Sequence, residues 1–194
     1  FSLAHTIRER GYDLQLLSPD GKYVERLLSS GFRWRGIRLS RRGLNPLADA
    51  KSWLLYLSAY RQERPDLVHH FTIKPVILGS LAARAAGIRA VVNSITGLGY
   101  LFVNPSRLVS ALRLLVLPLY RLALSGSENL TIFQNQRDAS LFERWRLVRP
   151  GSYMTIPSSG VDLRKFRPSP EPLGDPIVLF SGRMLCDKCV GDLI

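Results

Sequence analysis

Three short segments of this 194-residue chain gather chemically unusual combinations of side chains at the ends of strand-like runs. The first is His69-His70-Phe71-Thr72-Ile73-Lys74, which sets imidazole, hydroxyl and ammonium groups within six residues. The second is Ser94-Ile95-Thr96-Gly97-Leu98-Gly99-Tyr100, where glycines let backbone approach a ligand closely. The third is Gly182-Arg183-Met184-Leu185-Cys186-Asp187-Lys188. Its two cations and free backbone N–H groups suit a diphosphate, and a helix starting there adds its own positive end. Each segment follows a run with strand character: DLVHH at 66–70, RAVVNSI at 89–95 and IVLFS at 177–181. In open α/β sheets, ligands bind at the carboxyl ends of strands.

The same residues admit plainer readings. Neighbouring residues on a strand point to opposite faces, so His69 and His70 do not both line one site, and one of them is expected to pack or cap. The pair has no metal-ligand spacing. Cys186-x-x-Cys189 resembles a redox motif, but zinc needs further ligands that are absent from its surroundings. Two cysteines are too few for a disulfide scaffold and fit a reducing compartment.

The elements that must position these segments follow from period and punctuation. Helices are expected around Leu3–Ile7 and Val24–Leu28, with Gly11 and Gly31 ending them. Asp13–Ser18 reads as a strand, and so does Phe32–Leu39, where Phe32 and Trp34 alternate with Arg33 and Arg35 and turn inward. Asn45-Pro46 opens a long helix as N-cap and first turn, with Leu47, Ala50, Leu54 and Leu57 as its buried stripe. Pro65 ends it, and Pro75 to Gly87 bound the next helix. A helix over 106–124, a strand over 129–134, a helix over 136–146 and a strand over 153–156 complete the pattern. Strict alternation implies right-handed crossovers and a doubly wound parallel α/β sheet. Residues 1–156 form this first domain. Residues 157–176, with prolines at 157, 168, 170, 172 and 176, read as a linker, and 177–194 as the first strand and turn of a second domain. The chain begins at Phe1 inside a helix, so it reads as cut at both ends, with the sheet's first strand missing.

Lys and Arg number 27 against 15 Asp and Glu, a net charge of +12 that favours polyanions. Arg33, Arg35, Arg38, Arg41 and Arg42 cluster on one strand and the loop after it, which suits nucleic acid or anionic lipid headgroups. In Arg107–Leu124, Arg107, Arg113 and Arg121 share one third of the helical wheel and leucines cover the rest. Such a helix is either buried or lies in a membrane interface with its arginines snorkelling outward.

The chain resembles the family 4 glycosyltransferases, retaining enzymes of the GT-B fold in which two Rossmann-like domains face each other across a cleft. The resemblance rests on GRMLCDK at 182–188, SSGVDLRKF at 158–166, LNP at 44–46, HHFTIKP at 69–75, GSLAARAAG at 79–87 and SITGLGY at 94–100. It is strongest to the bacterial subgroup that extends undecaprenyl-diphosphate-linked sugars, N-acetylgalactosaminyltransferases among them. The resemblance implies that Arg183 and Lys188 are catalytic, holding the donor diphosphate and offsetting charge on the leaving nucleotide. It implies that Thr96, Gly97 and Gly99 face the transferred sugar and acceptor, and that His70, Thr72 and Lys74 meet the acceptor. No metal or other cofactor is implied, the nucleotide-sugar being a substrate. The partners implied are a UDP-sugar, a polyprenyl-diphosphate-linked glycan and an anionic membrane surface, with the protein peripheral at the inner face of the bacterial cytoplasmic membrane. These 194 residues alone are expected to be inactive, most of the donor domain being absent.

Two departures from the family pattern stand out. Many relatives of this fold carry a His where Thr96 or Gly97 stands, and Cys189 replaces the glycine that usually follows Lys188. A sugar-nucleotide epimerase of the same architecture is one alternative, although SITGLGY offers it no acid or base. A basic nucleic-acid-binding module is the other.

Overall fold

The computed structural model describes residues 2–39, 45–97, 102, 106–126, 128–158, 160–171, 173–177 and 179–181, with backbone alone at 107 and 108. Two units are distinguished, Phe1–Ser159 and Gly160–Ile194. The first unit alternates helix and strand in the order α1 (Ser2–Glu9), β1 (Gln15–Ser18), α2 (Val24–Ser29), β2 (Arg33–Gly36), α3 (Pro46–Glu63) and β3 (Leu67–Phe71). A π-helical turn (Pro75–Gly79) runs directly into α4 (Ser80–Ala85), followed by β4 (Ala90–Ile95), α5 (Arg107–Leu124), β5 (Asn129–Phe133), α6 (Gln136–Arg144) and β6 (Tyr153–Thr155).

All strand pairs are parallel, but they form two sheets: β1 with β2, and β3-β4-β5-β6 in sequence order. In the larger sheet Leu67 pairs with Ala90 and Phe71 with Ser94, so β3 and β4 end side by side. Parallel strands need helical crossovers, and the ends of those helices are set by short-range chemistry. Asn45 caps α3 by accepting from Ala48 N at 3.2 Å, with Pro46 in the first turn. Asn135 does the same for α6, accepting from Asp138 N at 2.8 Å.

Two apolar clusters hold the unit together. One joins Val76, Ile95, Val116, Tyr120, Phe133 and Phe142 from the π turn, β4, α5, β5 and α6. The other joins Ile37, Tyr56, Tyr60, Val68, Ala82 and Val91. The buried stripe of α3 differs from the one its leucines suggest. Leu47 is 84% exposed and Leu54 is exposed too, while Ser52, Tyr56, Leu57, Ala59 and Tyr60 face inward. That rotation seats both tyrosine rings near His70 and lets Ser52 Oγ donate to Arg38 O at 2.9 Å.

The inward turn of Phe32 holds, since it is buried, and Trp34 is half-buried with Nε1 donating to Ser18 Oγ at 2.9 Å. Arg33 and Arg35, expected as part of a basic cluster, are instead paired with side chains distant in sequence. Arg33 reaches Asp13 at 2.7 Å and Glu63 at 2.8 Å, and Arg35 reaches Gln62 at 2.6 Å and Glu63 at 3.7 Å. Arg38 is exposed, and Arg41 and Arg42 lie outside the described residues.

Gly79 ends the π turn flat against the His70 imidazole. A β-carbon there would fall 2.5 Å from Nε2 and 2.6 Å from Cδ2 of a ring held at both nitrogens. Gly79→Ala is therefore expected to destabilise the protein by about 1–3 kcal/mol, the usual cost of overpacking, as read from urea unfolding. An unchanged midpoint would mean that the ring moves freely.

The second unit is described only up to Ser181. Asp162 organises a turn there, its carbonyl accepting from Lys165 N at 3.0 Å and Phe166 N at 2.9 Å. The described part of 177–181, expected as a strand, has no ladder partner among the described residues, and an isolated strand does not hold its form.

Candidate functional site

The strand ends of the larger sheet carry two of the three predicted segments. At the end of β3 the backbone turns sharply at Thr72, where φ is +70°. That left-handed conformation is uncommon for a β-branched residue and costs on the order of 1 kcal/mol or more. It is held from both sides. Thr72 N–H donates to Ser94 O at 3.3 Å across the strand pair, and Thr72 O accepts from Val76 N at 3.0 Å in the π turn. The side chain of Thr72 is thereby left exposed beside the start of a helical run.

On the neighbouring strand, Thr96 is exposed and Gly97 has φ +139° with nothing within 4 Å of where a β-carbon would stand. Thr72, Thr96 and Gly97 thus sit at adjoining strand ends, with open backbone at the glycine. Lys74 lies close by in sequence but is not a free cation, because its Nζ meets Asp49 Oδ1 at 2.7 Å and both groups are half-buried.

His70, expected to meet the acceptor, lies in the core at 4% exposure. Tyr60 O–H donates to its Nε2 at 2.7 Å, and its Nδ1–H donates to Asn93 Oδ1 at 2.9 Å. Ser80 Oγ donates to the same Asn93 oxygen at 3.0 Å. An amide oxygen only accepts, so the arrangement fixes one neutral tautomer. Burial drives the imidazole pKa down from 6.5 to about 4, partly countered by the Asn93 hydrogen bond. The same burial raises the Tyr60 phenol. His70 is therefore a structural residue under the sheet. The half-buried histidine of the pair is His69, stacked on Phe71 at 4.2 Å and hydrogen-bonded through Nε2 to Ser94 Oγ at 2.8 Å. The strand rule allowed one packed histidine, and the phase of β3 decides which.

A cavity of about 390 Å³ at the carboxyl ends of β1 and β2 escaped the sequence reading. It is lined by Pro19, Asp20, Gly36, Ile37, Arg38 and Leu39. The signal that would have found it is positional: the turn Pro19-Asp20-Gly21 directly follows a strand, which is where α/β folds bind ligands. Gly99, Arg183, Lys188, Cys186 and Cys189 lie outside the described residues.

α5 settles into an intermediate between its two sequence readings. Val109, Val116, Tyr120, Ala123 and Leu124 are buried. The opposite face carries Ala111, Leu114, Leu115, Pro118, Leu119 and Leu122, all exposed, at the spacing of a single helical stripe. Leu114 and Leu115 are each 71% exposed. The arginines flank this face instead of projecting away from it. Arg113 sits over the Trp145 ring at 5.8 Å, and Arg121 donates to Trp145 O at 3.1 Å and Arg146 O at 3.2 Å beyond the end of α6. No described helix is long and apolar enough to cross a membrane.

A parallel α/β unit whose strand ends offer hydroxyls, open backbone and a shallow cavity is a ligand-binding fold of the Rossmann-like class. The chain belongs to the Glycosyl transferase 4-like family, whose pattern it matches over residues 1–135. Among curated proteins it is 24% identical over 162 residues to N,N'-diacetylbacillosaminyl-diphospho-undecaprenol alpha-1,3-N-acetylgalactosaminyltransferase of Campylobacter jejuni, covering 84% of this chain and 43% of that protein. It is 27% identical over 158 residues to UDP-Gal:alpha-D-GlcNAc-diphosphoundecaprenol alpha-1,3-galactosyltransferase of Escherichia coli, covering 81% and 39% respectively. The chain therefore spans well under half the length of either relative. A crystal structure of Acinetobacter baumannii MurG aligns over 84% of this chain and 63% of that one, at 16% identity and a TM-score of 0.40.

Proposed function

We propose that the protein transfers a sugar from a UDP-sugar to a polyprenyl-diphosphate-linked glycan, with retention of configuration, at the inner face of the cytoplasmic membrane. The observation that carries this is the family match over residues 1–135, most of the first α/β unit. Both curated relatives are named for acceptors linked through a diphosphate to undecaprenol and for α-1,3 products. An α-linked product from an α-linked UDP-sugar is retention.

In this proposal the strand ends of β3 and β4 receive the acceptor. Thr72 and Thr96 offer hydroxyls to sugar oxygens, and Gly97 leaves room for the reacting ring to approach backbone. Arg183 and Lys188 hold the donor diphosphate and stabilise the leaving nucleotide, so no metal is assigned a role. Catalysis then rests on positioning and charge, which a front-face reaction requires more than a base. The leucine face of α5 rests in the membrane interface and brings the lipid-linked acceptor within reach, which places the protein peripherally.

The test is transfer of labelled sugar from UDP-N-acetylgalactosamine and UDP-galactose to an undecaprenyl-diphosphate-linked amino sugar by the protein at its natural length. A labelled lipid product is expected. Conversion of the UDP-sugar without acceptor would point to an epimerase instead. Salt-steep RNA binding without transfer would point to a nucleic-acid module.

A further inference from the structure

At the end of the larger sheet away from these strand ends, the loops entering β3 and β4 lie side by side and border an open cavity of about 620 Å³. Its lining includes Arg61, Arg64 and Arg89, with Tyr60 and Gly87 and a single carboxylate, Asp66. Among the described residues none of the three arginines makes an ion pair. Cations often gather at helix ends, and α3 and α4 both finish here. The two helix ends carry about half a negative charge each, so with Asp66 they still fall about one charge short of the three guanidiniums.

The conformation of Arg64 adds a second observation. It caps α3 at φ +47° and ψ +53°, a left-handed position where glycine is the usual residue. Gly87 fills the matching place after α4, at φ +80°. Helix termination alone would favour glycine at 64 as well. The chain instead carries an arginine in that left-handed conformation, and this residue lines the cavity.

We infer that this cavity is a second anion site, separate from the transfer site, which takes a phosphate-bearing group in the fork of Arg61, Arg64 and Arg89. The shared chemistry is a phosphate or diphosphate. Its source is either a soluble phosphate compound or the headgroup of an anionic lipid.

Inorganic pyrophosphate is titrated by calorimetry, with saturating UDP occupying the donor site, into the protein and into the variant Arg64→Gly/Arg89→Gln, with Arg137→Gln/Arg167→Gln as a control of equal charge. Binding is expected to weaken about 10-fold for each guanidinium removed from the cavity and to hold in the control. The melting temperature of Arg64→Gly is expected not to fall, since glycine relieves the left-handed strain, and this separates lost binding from lost folding. A parallel arm compares vesicles of phosphatidylglycerol and phosphatidylcholine. The leucine face of α5 is the same in every protein and cancels from that comparison. Loss of pyrophosphate binding in the cavity variant supports the site with a soluble ligand. Loss confined to phosphatidylglycerol vesicles supports it with a lipid headgroup. Equal binding by cavity variant and control in both arms, or no binding in either, overturns it.

Discussion

Lowering the pH from 6.5 to 4 should remove about 3 kcal/mol of stability through His70 alone. Its folded-state pKa is held at about 4 against 6.5 in the unfolded chain, chiefly by burial. Below pH 6.5 the unfolded state therefore binds the proton first. The contribution is fully present above that pH and is lost as pH falls through the window toward 4. His69, also lowered by burial, adds to the loss in the same direction. The check is urea unfolding at half-unit steps from pH 7 to 4, repeated on His70→Gln. The variant should be less stable at neutral pH, because Tyr60 and Asn93 lose a shaped partner, yet its stability should fall less on acidification. Equal pH slopes in the two proteins would show that His70 is not held neutral.

Leu114→Asp/Leu115→Asp should lower affinity for anionic vesicles by more than 100-fold. Burying a leucine contributes about 1.5–3 kcal/mol, so two lost from the interface reach that figure before charge repulsion is counted. Both side chains are 71% exposed, so the variant should fold and melt as the parent does. Flotation with phosphatidylglycerol vesicles gives the binding, and circular dichroism the fold. Unchanged flotation would show that this stripe does not face lipid. If sugar transfer to a lipid-linked acceptor falls in step with flotation, while transfer to a water-soluble acceptor analogue persists, α5 serves delivery and has no part in the chemistry.

Much of the first unit was legible because its signals are local. Proline and glycine mark the helix ends, Asn45-Pro46 names its own cap, and the apolar runs at 66–70, 89–95 and 129–134 fall on parallel strands. What was not legible depends on groups distant in the chain. The leucines of α3 have valid helical spacing, yet the tertiary structure turns Tyr56 and Tyr60 inward to reach His70. Glu63 neutralises Arg33 from thirty residues away, so a local reading sees only bare cations. The strain at Thr72 and the choice between His69 and His70 have no sequence signature. Both follow from how β3 pairs with β4.

Pro118 stands within α5 on its exposed face. Proline has no N–H, so position 118 cannot supply the donor that the carbonyl of Leu114 would otherwise meet one turn later. In hydrocarbon an unmet carbonyl costs several kcal/mol, whereas among glycerol and headgroup atoms it finds water. In the membrane-bound state proposed above, such a helix has a set draught: its leucines sink until that oxygen reaches the wet boundary, and no further. The same proline that interrupts the hydrogen-bond ladder would then hold the protein at a constant height on the bilayer. A diphosphate fixed to a lipid always presents its first sugar at one height, and a reader of that sugar needs a fixed one of its own.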